Sequence, residues 1–298
     1  MTASKITVWG APGSGKTTFL AALNVAMARS ELDWALVAKD EKSGTWLTAM
    51  TDQLVKREFP QPTTTVEKLQ YLLIGPSRTR RKGLFRRTTI AEQTRVDLSL
   101  IDMPGGTFGD RSPGSTEALT SSNGLLFLFD PIREVTSGDS FHYFHGVITD
   151  LAHQAMASDP SGRLPHRLAV CITKFDDARV LNSAERLGLV TTDPSDLYNR
   201  PVVDNARELF AHLCEVSASG NGGMLLSMID RFFHPQRVRF FATSTVGFHI
   251  GSGQTTFDPE DFQNIVPTEH GDRIRGAVQP INVLEPILWL VDEGFSRR

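Results

Sequence analysis

Residues 10–18 read GAPGSGKTT, and the spacing G-x-x-x-x-G-K-[ST] is that of a loop built to hold phosphate. The flanks agree with it. Lys5 to Trp9 alternates and is rich in β-forming residues, which predicts a strand, while Thr17 to Arg29 carries Leu20, Leu23 and Met27 at helical spacing. A strand therefore runs into a glycine-rich turn and then a helix. Gly10, Gly13 and Gly15 permit torsions that a Cβ forbids, so successive N–H groups can converge on an anion in front of the helix N-terminus. In such a loop Lys16 bridges the β- and γ-phosphates, the Thr17 hydroxyl holds Mg²⁺, and Gly13, Ser14, Gly15 and Thr18 complete the cradle.

Two downstream stretches have the chemistry to read a γ-phosphate. Phe59 to Thr65, FPQPTTT, cannot continue a helix comfortably, so it is expected to be a loop that presents its hydroxyls. A threonine here can complete the Mg²⁺ shell when the γ-phosphate is present; Thr63, directly after Pro62, is the first choice, with Thr64 and Thr65 as alternatives. The strand expected at Val96 to Ile101 ends in Asp102-Met103-Pro104-Gly105-Gly106. Asp102 is placed to hold Mg²⁺, often through a water, and Gly105 to bring its N–H to the γ-phosphate. The segment from Thr107 to Asn123, rich in Gly, Ser and Thr, reads as one released on hydrolysis.

A third group of residues addresses the base. The continuous apolar run Gly124 to Phe129 fits a buried parallel strand, as does Leu168 to Ile172, which ends in Thr173-Lys174-Phe175-Asp176. A carboxylate at Asp176 can accept from the N1–H and the 2-amino group of guanine together, whereas adenine offers neither donor. The aliphatic stem of Lys174 can lie over the purine. Arg237 to Ala242 reads as the last sheet strand and runs into Thr243-Ser244-Thr245. A backbone N–H there, at Ser244 with Thr245 beside it, could meet the guanine O6; Glu215-Val216-Ser217-Ala218 is the rival stretch.

The remaining chain fills out an α/β pattern. A short strand is expected at Trp34 to Ala38 and a hairpin from Leu69 to Ile74 with Val96 to Ile101, the basic run Arg78 to Arg87 forming the loop between them. That loop reads as solvated or docked on a partner, with an acidic protein, a lipid headgroup or nucleic acid as other targets. Helices are expected over Gly44 to Glu58, Ser140 to about Ala157, Val202 to Leu213 and Gly222 to Phe233. Asn282 is expected to cap a terminal helix with Glu285 at the capping-box position, and Ile250 to Gln279 has no clear period. His142 and His145 share a helix face without an acidic or thiol neighbour, which argues against a metal site there.

Composition bounds the function. With 298 residues, 40% hydrophobic and 22% charged, the chain is large enough for one big α/β domain and too apolar for wholesale disorder. We expect a single domain over 1–298 with insertions at about 30–62, 76–95 and 248–279, built as three layers around a mostly parallel sheet. A formal charge of −3 disfavours a general nucleic-acid binder. Cys171 and Cys214 lack metal-ligand spacing, no apolar run approaches membrane-spanning length, and no signal-peptide core precedes the first strand. The expectation is a cytoplasmic protein.

Gly10 to Thr17, Thr63, Asp102 to Gly105, Thr173 to Asp176 and Ser244 occur in the order of the five signature segments of P-loop GTPases related to Ras and the translation factors (the TRAFAC class), and the chain resembles that class over nearly its whole length. Trp9 before the loop, the FPQPT approach, DMPGG and the ending PINVLEPILWL are similar to the bacterial stand-alone members called double-GTPases. The resemblance implies a GTP/GDP switch with Mg²⁺, a role for Lys16, Thr63 and Gly105 in hydrolysis, and an effector or activating protein, with a homodimer as a further option. One departure stands out. Ras-like proteins usually follow D-x-x-G with a glutamine that orients the attacking water; here the residue is Gly106, which implies slow intrinsic hydrolysis. Arg111, or an arginine of 78–87, could supply a finger in cis or across a dimer.

Overall fold

The computed structural model describes residues 4–60, 68–82, 88–101, 119–155, 162–269 and 271–291. In chain order its strands are β1 (Ser4–Gly10), β2 (Ala35–Ala38), β3 (Lys68–Lys82), β4 (Thr88–Ile101), β5 (Gly124–Phe129), β6 (Arg167–Ile172), the short pair β7 (Val190–Thr192) and β8 (Pro201–Val203), then β9 (Val238–Ala242), β10 (Ile265–Thr268) and β11 (Gly271–Ile274). The helices are α1 (Lys16–Arg29), α2 (Glu41–Val55), α3 (Pro131–Thr136), α4 (Ser140–Ala155), α5 (Ala178–Arg186), α6 (Ala206–Glu215), α7 (Gly222–Phe232) and α8 (Glu285–Val291).

Seven strands form one sheet in the order β2-β3-β4-β1-β5-β6-β9. From β4 to β9 neighbours are parallel, while β3 runs antiparallel to β4 and β2 antiparallel to β3. Period-two alternation along buried strands builds a core on each face. Leu126 and Leu128 of β5 pack with Ile6 and Val8 of β1 and with Phe19, Leu47 and Ile287, which places α1, α2 and α8 on that side. Leu125, Phe127 and Phe129 face the other way with Trp9, Phe144 and Phe210, beneath α4, α5, α6 and α7. The result is the three-layer α/β architecture expected from the sequence. Beside β1 the chain departs toward β4 and returns on the opposite side as β5, so the carboxyl ends of these strands flank the reversal point where open α/β sheets bind ligands.

Several local expectations need correction. The β3–β4 hairpin is far longer than two six-residue strands: its register runs from Lys68↔Ile101 to Lys82↔Thr88, so Arg78 to Lys82 belong to a strand and not to a loop. A shift in register between Ile74 and Ser77 marks where the ladder leaves the sheet, and Gly75 is needed there because a Cβ would stand 2.6 Å from the Trp34 ring. Helix α2 begins at Glu41, not Gly44, because Asp40 caps it by accepting from Ser43 N at 2.7 Å. Pro201–Val203 is a strand, and the helix after it starts only at Ala206, capped by Asn205. Asn282 does not cap the last helix; it sits in left-handed backbone (φ 49°) and its amide donates to Ala242 O at 3.0 Å. Within the unpatterned stretch 250–279 the chain forms the antiparallel β10–β11 hairpin. Among the described residues no helix is long and apolar enough to cross a membrane.

Candidate nucleotide-binding site

The site begins where β1 ends. Gly10 lies so close to β5 that a Cβ would meet Leu128 O at 2.6 Å, which only glycine tolerates. The loop then turns through Gly13 (φ 73°) and Gly15 (φ 89°), the latter being the residue before α1. Ser14 N donates to Ala11 O (3.1 Å) and Phe19 N to Gly15 O (2.7 Å), which closes the turn onto the helix. Lys16 is buried beneath it, its Nζ donating to Gly10 O (3.1 Å) and Ala11 O (3.0 Å), while Thr17 stands in the first turn of α1.

The second wall comes from the ends of β6 and β9. Thr173 ties β6 to β5 through both its N–H and its hydroxyl, each donating to Phe129 O. Lys174 has φ 59°, and this left-handed turn leaves its side chain 40% exposed while Asp176 is buried at 4%. The Lys174 ammonium pairs with Asp130 Oδ2 at 2.7 Å. Asp130 is itself fixed, accepting from Ile132 N (3.0 Å) and Arg133 N (3.1 Å) at the start of α3. Sequence reasoning missed this carboxylate, although its place after the apolar run of β5 and before Pro131 was a helix-start signal.

Asp176 Oδ1 accepts from the Ser244 hydroxyl at 2.5 Å. Burial pushes the Asp176 carboxyl up from 3.8 to about 6 against the lowering effect of that hydrogen bond. The expected use of the Ser244 N–H is corrected here. That N–H donates to Ile281 O (3.0 Å) in a β-bridge and the Ser244 oxygen accepts from Gly247 N (2.7 Å), so Ser244 orients Asp176 from behind. The rival stretch is also engaged elsewhere: Ser217 donates to Glu134 Oε1 and Ala218 N to Glu134 O.

These pieces border one cavity of about 900 Å³. Gly13, Ser14, Gly15 and Thr18 line it on one side, and Thr173, Lys174, Asp176, Thr245 and Val246 on another. Two further walls were not anticipated. Gln53, Glu58, Phe59 and Pro60 come from α2 and the chain just beyond it, and Ile265, Thr268, Gly271, Asp272 and Arg273 from the β10–β11 hairpin. Thr63 with its alternatives Thr64 and Thr65, Asp102, Gly105, Gly106 and Arg111 lie outside the described residues. No group of three or more His, Cys, Asp or Glu side chains that could hold a metal occurs among the described residues.

The family model described as Double-GTPase 2 matches residues 4–219. The chain belongs to the Double-GTPase 2 family. Membership marks it as a GTP-binding protein, and the phosphate loop and TKFD turn both fall inside the matched region. No curated protein matches the sequence. The Double-GTPase 2 match ends before β9, so Thr245, Val246 and the β10–β11 hairpin line the pocket from beyond it, and Ser244 supports Asp176 from there.

Proposed function

We propose that this Double-GTPase 2 protein is a Mg²⁺-dependent guanine-nucleotide switch that hydrolyses GTP slowly to GDP and phosphate and signals to a partner protein. The observation that carries the reading is the meeting of Gly13–Gly15 with Lys174, Asp176 and Thr245 around one cavity. Phosphates lie against the loop N–H groups and the α1 N-terminus, with Lys16 neutralising the β- and γ-oxygens. The base lies against the other wall. Asp176 accepts from guanine N1–H and the 2-amino group, the Lys174 stem covers the ring, and the N–H of Thr245 or Val246, rather than that of Ser244, addresses O6.

Mg²⁺ prefers hard oxygen donors, and Thr17, Thr63 and Asp102 are donors of that kind. Of these, Thr17 lies among the described residues, at the first turn of α1. The ion would offset the charge that builds on the phosphate oxygens. Thr63 and Gly105 would sense the γ-phosphate, and their segments would be the elements that differ between the GTP and GDP states.

A second reading is a GTP-dependent scaffold with negligible turnover, favoured by Gly106 in place of a water-orienting glutamine. Phosphate release with and without a candidate partner separates the two. The primary test is a titration of nucleotide-stripped protein with fluorescent GDP, GTP and ATP analogues, with and without Mg²⁺, alongside Lys16→Ala. Guanine-selective, Mg²⁺-sensitive binding that is lost in the variant is expected. Equal affinity for ATP would overturn the base assignment.

A further inference from the structure

The β10–β11 hairpin is held by two different tethers on the side away from its turn. At its root, Asn264 is fully buried; its side-chain amide donates to Val246 O (3.1 Å) and Ala277 O (3.3 Å), and its Oδ1 accepts from Gly276 N (2.7 Å). Val246 directly follows Thr245, so the root is bolted to the base wall of the cavity. Ile274, the last residue of β11, is likewise buried in the core beneath α1 and α2.

The other tether is a short seam. Arg273 faces Glu58 in an isolated antiparallel bridge, Ile274 N donates to Arg57 O (3.1 Å), and the Arg57 guanidinium donates to Arg275 O (3.1 Å). Across the bridge Arg273 Nη2 meets Glu58 Oε1 at 2.7 Å, with the two side chains 57% and 50% exposed. An exposed ion pair and a single-residue bridge are weak compared with a buried amide network, so the seam opens before the root does. Beyond the seam, toward the turn of the hairpin, Thr268, Gly271 and Asp272 border the cavity. Two strands of four residues each are too short to be stable alone, so this element holds its place through those two tethers.

We infer that the β10–β11 hairpin is a further nucleotide-binding element, a clasp hinged at Asn264 and latched by Arg273 to Glu58, which retains the guanine nucleotide. The inference rests on the proposed nucleotide reading of the cavity. Opening the seam frees the hairpin from the chain that follows α2. The retained ligand is a guanine nucleoside di- or triphosphate, and Glu58, Arg273, Thr268 and Asp272 are positioning residues around it.

The test is nucleotide release. Facing residues across an antiparallel pair have Cα atoms about 4.5–5.5 Å apart, within the range a disulfide spans. A Glu58→Cys/Arg273→Cys variant can thus be latched by oxidation and freed by reductant, and the native Cys171 and Cys214 are both buried. Full-length protein loaded with fluorescent GDP is chased with excess GDP. Release from the oxidised variant is expected to be slower than from the reduced form by about tenfold or more. Arg273→Glu and Glu58→Arg should each speed release roughly two- to fivefold, and the charge-reversed double variant should recover most of the difference. Thermal midpoints that stay with wild type would separate this from a general loss of fold. If the disulfide forms and release is the same oxidised and reduced, the clasp is refuted while nucleotide binding stands. Wild-type protein that retains no GDP would instead sink the nucleotide reading and the clasp with it.

Discussion

Guanine binding should weaken on acidification with a midpoint set by Asp176. Its carboxyl titrates near 6 in the empty pocket, against 3.8 for an ordinary aspartate. In the proposed base contact the guanine donors require the ionised form. Relative to pH 7, binding at pH 5 must first remove a proton from a group that is then mostly protonated, which costs about tenfold in GDP affinity, or ~1.4 kcal/mol. The same group acts on folding with the opposite sign. Between pH 3.8 and about 6 the native empty protein holds a proton that the unfolded chain has released, so rising pH removes stability through this window. The gap corresponds to ~3 kcal/mol, fully expressed above pH 6 and absent below 3.8. Bound guanine, by pairing with the carboxylate, should return part of it. Calorimetric or fluorescence titration with GDP from pH 5 to 7.5 reads the affinity, with Asp176→Asn measured in parallel to subtract phosphate ionisation. Melts of the nucleotide-free protein over the same range read the stability. A GDP affinity whose pH dependence is identical in wild type and Asp176→Asn would refute the reasoning.

Three other outcomes follow from the geometry. Ser244→Ala removes the hydroxyl that donates to Asp176, so the affinity midpoint should move to higher pH; it also leaves Gly247 N–H unpaired, for a stability loss of about 1–3 kcal/mol in a denaturant titration. Asp130→Ala removes both the anchor of Lys174 and the cap of α3, and should lower the unfolding free energy by about 1–2 kcal/mol and weaken GDP binding severalfold, whereas Asp130→Asn should keep much of the cap. Gly10→Ala forces a methyl against Leu128 O, a backbone atom that cannot step aside, and should cost about 1–3 kcal/mol or more in thermal or denaturant unfolding.

What the sequence disclosed follows the range of the forces involved. The β1 strand, the glycine torsions after it and the alternation along β5 and β6 are local, so GAPGSGKTT and the apolar runs announced them. Asp176 was legible for the same reason, as a polar stop at the end of a buried strand. Ser244 was seen and given the wrong atom, because its N–H is taken by Ile281, and nothing in the sequence around Thr243 to Thr245 signals that pairing. The ladder through Arg78 to Lys82 was read as a loop because a strand that leaves the sheet has no apolar alternation to betray it. Pro131 after β5 signalled the cap at Asp130, but its pairing with Lys174 was silent, as was that of Glu58 with Arg273, because each joins residues distant in the chain.

The order in which the chain is written also governs when its pocket can exist. The phosphate loop precedes its supporting strands β4 and β5 in the chain. The oxygen that steadies Asp176 arrives only with Ser244, and the bridge that holds Ser244 waits for Ile281. A chain carrying only the family-matched region would thus hold the phosphate loop and Asp176 without the oxygen that steadies Asp176. A base wall built on Asp176 is therefore complete only once β9, Ser244 and Ile281 are in place.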